Sequence, residues 1–402
     1  MKSIVLLGDG MADEPMEQLG GKTVLEYAST PNMDRIAHDG RIGLVHTVPP
    51  GYHPGSDVAN LTVFGYDPAT CYSGRSPLEA ASMGVKLAPE DVAFRLNFVT
   101  LTAHYGKLYM EDFSAGHITT AEGAELIATL QAELGGEEFH FYPGVSYRHL
   151  LVWKGGRDKM VCVPPHDITD LSIEDHLPKG DGADVLMHLT NSAQMLLSQH
   201  PVNTRRENAR QLPASSIWLW GQGRAPRMPT MQEKFGIKSG AVISAVDLIR
   251  GIGIYAGLEV ILVPGATGWI DTNYRGKAQA ALDALATHDF VYLHVEAPDE
   301  AAHSGSLEDK LTAIEAFDRD VVGPVLEGLQ RFDAWRVLLL PDHPTPVALR
   351  THTDKAVPFA LYGSGGEFAV KSPASAYNEV EAAKSGLVVA KGHQLMSQLL
   401  GC

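Results

Sequence analysis

Short apolar runs recur along the chain, and most of them end in glycine, proline or an acidic residue before a helical stretch. The period is clearest between residues 262 and 343, where apolar runs alternate with KAQAALDALATH and LEDKLTAIEAFDRDVVGPVLEGL. Continuous apolar strands that alternate with helices are typical of a parallel sheet covered on both faces. The pattern therefore predicts an α/β fold with a doubly wound, mostly parallel sheet. The predicted strands are SIVLLGDG at the start, VAFRLNFVTL at 92–101, SIWLWGQG at 216–223, LEVILVPGA at 258–266, FVYLHVEAPD at 290–299 and AWRVLLLPDH at 334–343.

The middle of the chain differs from the rest in strand length and composition. Residues from about 102 to 209 carry shorter strands such as HFYPGVSYRHLLVWKG, an acidic turn (DGADV) and a polar helix near 184–199. Such a shift in composition indicates an inserted domain. We expect a discontinuous core formed by residues 1–95 and 210–402, and a smaller inserted α+β domain at 96–209.

Composition narrows the class of protein. With 402 residues, of which 45% are hydrophobic and 20% charged, the chain can bury a sizeable core. A net charge of −16, from 32 basic and 48 acidic residues, argues against nucleic acid or an anionic membrane as the main partner. We expect a cytoplasmic protein, because no run reaches the roughly 20 apolar residues of a membrane span, the N-terminus does not resemble a signal peptide, and three cysteines form no disulfide framework. Whether the protein forms a homo-oligomer is left open by the sequence.

Candidate metal ligands follow three of the predicted strands. Asp9 comes after SIVLLG, Asp299 after VYLHVEAP, and Asp342 with His343 after RVLLLP. In open α/β sheets, ligands bind at the carboxyl ends of the strands. One such aspartate alone would be read as a turn residue, but three at the same kind of strand end are much harder to explain in that way.

Two histidines extend this set. His303 follows Asp299 by four residues, so both face the same side of a helix, and His352 lies in the polar turn HTD. Carboxylate and imidazole ligands suit Mn²⁺, Zn²⁺ or Mg²⁺. Six ligands exceed what one catalytic ion with an open position needs, so the sequence predicts two divalent ions.

Ser56 lies in GYHPGSDVANLTVFGYDP, where a proline–glycine loop enters a helix. A hydroxyl at such a junction is ordinarily an N-cap. Beside a metal ion it could also ionise and attack phosphorus. The residues then leave three chemistries open: a phosphatase, a mutase or a phosphotransferase.

The chain resembles a known family, the cofactor-independent phosphoglycerate mutases of the archaeal-type branch in the alkaline phosphatase superfamily. The resemblance covers residues 4 to about 363. It is carried by the segments LLGDGMAD, PGSDVANLTVFGYDP, GRSPLEAASMGV, IWLWGQGRAP, VEAPDEAAHSG, LLPDHPTP and HTDKAVPFALYG.

The resemblance implies a role for each candidate residue. Ser56 would carry the phosphate. One ion would be held by Asp9, Ser56, Asp342 and His343, and the other by Asp299, His303 and His352. Mn²⁺ is the expected ion, with Mg²⁺ or Zn²⁺ as alternatives, and 2,3-bisphosphoglycerate would not be needed. The core would be alkaline phosphatase-like.

The inserted domain would act as a lid that contacts a small phosphorylated substrate. Candidate substrate-binding residues are His117, Arg148, Arg75, Arg95 and Lys238. For the two arginines at 75 and 95, a salt bridge is an equal alternative; for His117 a helix-cap or core role is open, and Lys238 would otherwise be a solvated loop lysine. The expected activity is interconversion of 2-phosphoglycerate and 3-phosphoglycerate, with a homoserine phosphotransferase or a phosphohydrolase as alternatives.

Overall fold

The computed structural model describes residues 1–369 and 371–401. The strands, in chain order, are β1 (Lys2–Gly8), β2 (Arg41–Val45), β3 (Val92–His104), β4 (Lys107–Asp112), β5 (Phe139–Val145), β6 (Arg148–Trp153), β7 (Ser216–Gly223), β8 (Gly240–Ile243), β9 (Glu259–Val260), β10 (Phe290–Val295), β11 (Trp335–Leu340), β12 (Val357–Gly363) and β13 (Val388–Val389).

The α-helices follow in the same way. They are α1 (Val24–Tyr27), α2 (Pro31–Asp39), α3 (Ser56–Val63), α4 (Pro68–Cys71), α5 (Ser76–Ser82), α6 (Thr120–Glu133), α7 (Ala183–Leu197), α8 (Pro201–Asn208), α9 (Met231–Phe235), α10 (Asp247–Tyr255), α11 (Tyr274–Thr287), α12 (Ala297–Ser304), α13 (Leu307–Phe317), α14 (Gly323–Leu329), α15 (Glu379–Lys384) and α16 (Leu395–Leu400). None of the helices in the described part of the chain combines the length and apolar character that a membrane crossing needs.

The chain forms two compact units. The first comprises Met1–Tyr72 together with the chain from Arg227 onward, and the second is Ser73–Pro226. The second unit therefore begins before, and ends after, the predicted insert at 96–209. The reason is that β3, which spans the predicted boundary at residue 95, pairs with β7, which was predicted to lie in the core, and both belong to the sheet of the second unit.

The sheet of the first unit has eight strands in the order β13-β2-β12-β11-β1-β10-β8-β9. β1 lies parallel between β10 and β11, whereas β12 runs antiparallel to both of its neighbours. Ile4 and Leu6 belong to one hydrophobic core with side chains of the packed helices, and on the other face Phe64 stacks on Tyr292 with 3.8 Å between ring centroids. Burial on both faces explains why these strands read as continuous apolar runs.

One predicted strand of this sheet is much shorter than expected. LEVILVPGA at 258–266 forms only the two-residue strand β9 at the sheet edge. An edge strand has one neighbour, and the chain beyond it leaves the sheet, so that Leu262 is 67% exposed. The apolar run correctly predicted a strand but not where it would end.

The second unit is built on an antiparallel sheet in which β3 pairs with β4, β6 and β7. Phe94, Leu96 and Phe98 of β3 pack in one core with residues of α6 and α7. Because side chains alternate along a strand, Arg95 and Asn97 lie on the opposite face. That face carries the polar residues discussed below.

Candidate active site

The carboxyl ends of three adjacent strands bring together the acidic residues predicted from the sequence. In the first unit β1 lies between β10 and β11, all three parallel. Asp9 directly follows β1, Asp342 follows β11 after one proline, and Asp299 lies in α12, which begins two residues after β10. The sheet order thus explains why residues far apart in sequence share one region of space.

Ser56 joins this group from the start of α3. Its Oγ lies 3.2 Å from Nε2 of His343. The expectation that Ser56 caps the helix is wrong, because Gly55 is the N-cap and no side-chain cap hydrogen bond forms there. The Ser56 hydroxyl is instead directed to His343, and the positive end of the α3 dipole lies beside it.

The candidate ligands predicted from the sequence form two overlapping groups, and a third group joins Asp9 to His294 and Glu296. One contains Asp9, Asp342 and His343, and the other Asp299, His343 and His352; in each, the ligand atoms lie within 4.8 Å of one another. His303 adjoins the second group, with its Nε2 at 3.2 Å from Oδ2 of Asp299 and at 2.8 Å from Nε2 of His352.

In each of these histidines, Nδ1 lies close to an oxygen atom, so that Nε2 is available to bind a metal ion. Nδ1 of His303 lies 2.9 Å from the carbonyl oxygen of Arg350, and Nδ1 of His352 lies 3.4 Å from that of Pro54. Nδ1 of His343 lies 3.2 Å from Oγ1 of Thr345. Metal-binding histidines ordinarily donate the other ring N–H to such an oxygen.

The charges at this site also favour cations. Burial raises the pKa of Asp9 well above its usual value, and the negative charges of Asp342, Glu296 and Asp299 raise it further. Oδ1 of Asp9 is buried and has no hydrogen-bond partner among the described residues. For Asp299, burial is outweighed by hydrogen bonds from His303 and His352, which hold its pKa well below the usual value. Crowded carboxylates, converging imidazoles and an orphaned oxygen fit divalent metal ions.

Other buried residues hold this set in place. Nδ2 of Asn60 donates to Oδ2 of Asp342 at 2.8 Å and to the carbonyl oxygen of Ser56 at 2.9 Å. Nε2 of His294 lies 2.8 Å from Oδ2 of Asp9, and its Nδ1 lies 3.1 Å from Oγ of Ser244. Burial lowers the pKa of His294 to about 3, so this imidazole is neutral and can donate Nε2–H to Asp9.

All three arginines that were predicted to bind substrate act on one carboxylate in the second unit, that of Glu79. Glu79 Oε1 lies 2.8 Å from Nε of Arg75 and 3.0 Å from Nη1 of Arg95. The pKa of Arg95 is lowered to about 10, because burial and the charges of Arg75 and Arg148 lower it more than the charge of Glu79 raises it. Three guanidinium groups beside one carboxylate leave an excess of positive charge, as an anion-binding site needs.

His117 lies in the same unit. It is exposed, its backbone is left-handed with φ of 49°, and its ring meets that of Tyr147 edge-on at 6.1 Å. The helix that follows is capped by Thr119 rather than by His117. Neither the cap nor the core alternative therefore describes this histidine.

Lys238 is placed differently from the other candidates. It is exposed and precedes β8, whose first residue pairs with Phe290 at the start of β10. The ligand groups follow the opposite, carboxyl ends of the parallel strands. The sheet topology therefore does not bring Lys238 to the metal-ligand groups, and the solvated-loop alternative describes it.

Comparison with known proteins assigns the family. The sequence matches the family model described as 2,3-bisphosphoglycerate-independent phosphoglycerate mutase over residues 37–203. It is 61% identical to a probable 2,3-bisphosphoglycerate-independent phosphoglycerate mutase of Geobacter sulfurreducens, with 100% of each chain covered. The chain belongs to the 2,3-bisphosphoglycerate-independent phosphoglycerate mutase family.

Further members agree with this assignment. The 2,3-bisphosphoglycerate-independent phosphoglycerate mutase of Methanothrix thermoacetophila is 55% identical, again over 100% of both chains. The solved structure of a cofactor-independent phosphoglycerate mutase from Thermoplasma acidophilum matches with a TM-score of 0.66 and 27% identity, covering 100% of this chain and 99% of that one.

In this family member, reasoning from the sequence missed the residues that support the ligands. Asn60 lies inside the segment GYHPGSDVANLTVFGYDP around Ser56, and His294 lies inside the predicted strand FVYLHVEAPD, but neither was among the candidate site residues. A polar residue in the middle of an otherwise apolar buried element is the signal that could have identified them, because buried polar groups need partners.

Proposed function

We propose that this protein interconverts 2-phosphoglycerate and 3-phosphoglycerate through a phosphoserine formed on Ser56. The observation that carries the proposal is the short distance of 3.2 Å between Ser56 Oγ and His343 Nε2 beside the buried carboxylates. Membership of the mutase family supports the choice of substrate.

The proposed ligands divide between two divalent ions, for which Mn²⁺ is the expected metal. Asp9, Ser56, Asp342 and His343 would hold one, and Asp299, His303 and His352 the other. Bound ions at such a site lower the pKa of a coordinated hydroxyl and stabilise the charge of a transferring phosphoryl group.

The reaction then consists of two phosphoryl transfers, to Ser56 and back to glycerate. Ser56 Oγ attacks phosphorus while the bond from phosphorus to the substrate oxygen breaks, and the proton lost by Ser56 balances the one gained by glycerate. Glycerate then reorients, its other hydroxyl attacks the phosphoserine, and Ser56 is regenerated. Asn60 keeps the start of α3 beside Asp342 through its two hydrogen bonds, so that Oγ stays oriented during both transfers.

The second unit is proposed to supply the substrate contacts and to act as the lid. Arg75, Arg95 and Arg148 bring the charges that a carboxylate and a phosphate require, and His117 with Tyr147 adds polar and aromatic surface. Retention of glycerate and exclusion of water would separate a mutase from a phosphatase, because water competes for the phosphoserine.

The proposal is tested by following ³¹P NMR of the protein with Mn²⁺ and 3-phosphoglycerate, and separately with ATP and homoserine. We expect conversion of 3-phosphoglycerate to 2-phosphoglycerate without release of inorganic phosphate. Ser56→Ala should abolish conversion, whereas Ser29→Ala, which changes an exposed serine of the same unit, should not. Faster release of phosphate would identify a phosphohydrolase, and phosphorylation of homoserine without mutase activity would identify a phosphotransferase.

A further inference from the structure

Thr345 contacts two of the candidate ligands, Asp299 and His343. Its side chain is fully buried, two residues after His343. Its Oγ1 lies 2.5 Å from Oδ1 of Asp299 and 3.2 Å from Nδ1 of His343. One hydroxyl therefore touches a ligand from each group, although neither the sequence motifs nor the proposed reaction assigns it a role.

The direction of these two hydrogen bonds follows from the chemistry of the partners. A threonine hydroxyl has one proton, and the carboxylate of Asp299 can only accept it. The hydroxyl oxygen is then left to accept Nδ1–H of His343, which fixes the tautomer with the lone pair on Nε2. Thr345 thus orients the Asp299 carboxylate and at the same time prepares His343 to bind a cation through the nitrogen that faces Ser56.

A buried lysine fixes the backbone that carries Thr345. Nζ of Lys310 donates to the carbonyl oxygens of Thr345 at 2.8 Å and Ala12 at 3.2 Å, and to Oδ2 of Asp13 at 2.9 Å. The N–H of Thr345 also donates to the carbonyl oxygen of Ala12, at 3.2 Å. The segment after β11 is therefore tied to the segment after β1.

Gly10 leaves the space that the hydroxyl occupies. A Cβ atom at this position would lie 2.6 Å from Oγ1 of Thr345 and 2.5 Å from Oδ1 of Asp299. The backbone of Gly10 has φ of +60°, in the left-handed region that favours glycine. The contact between Thr345 and Asp299 is thus accommodated by a neighbour without a side chain.

We infer that Thr345 is a positioning residue that couples the two metal-ligand groups, so that loss of its hydroxyl weakens both together. The inference rests on the two-metal site of the proposed function. It differs from a purely structural role, in which removal of the hydroxyl would lower stability and leave metal affinity unchanged.

The experiment is calorimetric titration of Mn²⁺ into metal-free protein. For wild type we expect two ions per chain. Thr345→Val, which keeps the shape, should weaken the binding of both ions by about 10- to 100-fold, the usual effect of losing an outer partner of a metal ligand. Thr345→Ala, which places no methyl group in the position of the hydroxyl, should do the same, and Thr345→Ser should bind both ions as wild type does.

Thr100→Val serves as the matched control, because Thr100 is also buried and its hydroxyl donates to a backbone carbonyl, but in the second unit. It should bind Mn²⁺ as wild type does. Unchanged affinity in both hydroxyl-free variants, or weakening of only one ion, would overturn the coupling while leaving the two-metal site intact. Wild-type protein that binds no Mn²⁺ would overturn the two-metal site itself, and this inference with it.

Discussion

At the scale of single residues, Asn60 shows how one amide connects the serine to the strand ends. Its Nδ2 bonds Ser56 and Asp342, and its Oδ1 accepts a hydrogen bond of 2.7 Å from the hydroxyl of Tyr292. Tyr292 and Asn60 are both fully buried. The chain of contacts from β10 to α3 thus holds a side chain that reaches both Ser56 and a candidate metal ligand.

Two buried tyrosines give a matched test of that chain. Tyr292→Phe leaves Oδ1 of Asn60 without its donor, so we expect a loss of about 1–3 kcal/mol in the free energy of unfolding and reduced mutase activity. Tyr274→Phe removes a buried hydroxyl that has no partner among the described residues, and it should be neutral or stabilising. Urea unfolding of the two variants compares them, and equal losses would contradict the assigned hydrogen bond.

At the scale of elements, the sequence correctly predicted the strands that carry the site but not all of their partners. β1, β10 and β11 were identified because each is buried on both faces and followed by an acidic residue. β3 and β7 were identified as strands, but their pairing with each other was not predicted, because an apolar run contains no information about which strand it pairs with. The burial of Lys310 could not be predicted either, because its partner Asp13 lies 297 positions earlier in the chain.

Removing the charge of Lys310 should destabilise the protein much more than removing that of the exposed Lys384. Lys310 and Asp13 are almost fully buried, whereas the pair formed by Lys384 and Glu381 includes a lysine side chain that is 67% exposed. Lys310→Met leaves the buried carboxylate of Asp13 without its positive partner. The variant should therefore lose about 3–5 kcal/mol of the free energy of unfolding.

Lys384→Met is the control, and it should cost less than about 1 kcal/mol. Both variants are measured by urea unfolding at pH 7. Similar losses would show that the Lys310–Asp13 pair does not have the buried character that the structure gives it.

At the scale of the whole molecule, a protein of net charge −16 concentrates several of its carboxylates at one buried place. The strand-end pattern predicted this concentration, since parallel strands end at one edge of a sheet. It could not predict the extent of the second unit, because the range Ser73–Pro226 depends on the long-range pairing of β3 with β7. The candidate ligands were therefore easier to predict than the domain division.

This charge concentration predicts opposite effects of Asp9→Asn with and without metal. Because burial and neighbouring carboxylates raise the folded-state pKa of Asp9, its contribution to stability is present at low pH and lost as pH rises through that pKa. Metal-free Asp9→Asn should therefore unfold at a higher temperature than metal-free wild type, by a margin that grows with pH.

Added Mn²⁺ should reverse this order. A ligand at 100 times its dissociation constant stabilises the folded state by about 2.7 kcal/mol, and wild type should gain this while Asp9→Asn gains much less. Calorimetric melting with chelator and with Mn²⁺ measures both effects, and Asp333→Asn, at an exposed aspartate, should behave as wild type does. Equal gains from Mn²⁺ in wild type and Asp9→Asn would exclude Asp9 as a ligand.

Acid quench during turnover tests whether the phosphoryl group passes through Ser56. Wild-type protein is mixed with Mn²⁺ and 3-phosphoglycerate, stopped within a turnover, and its peptides are examined by mass spectrometry. We predict phosphoserine at Ser56 in wild type, and neither phosphoserine nor 2-phosphoglycerate with Ser56→Ala. Wild-type turnover without a modified Ser56, together with an active Ser56→Ala protein, would show that the phosphoryl group does not pass through Ser56.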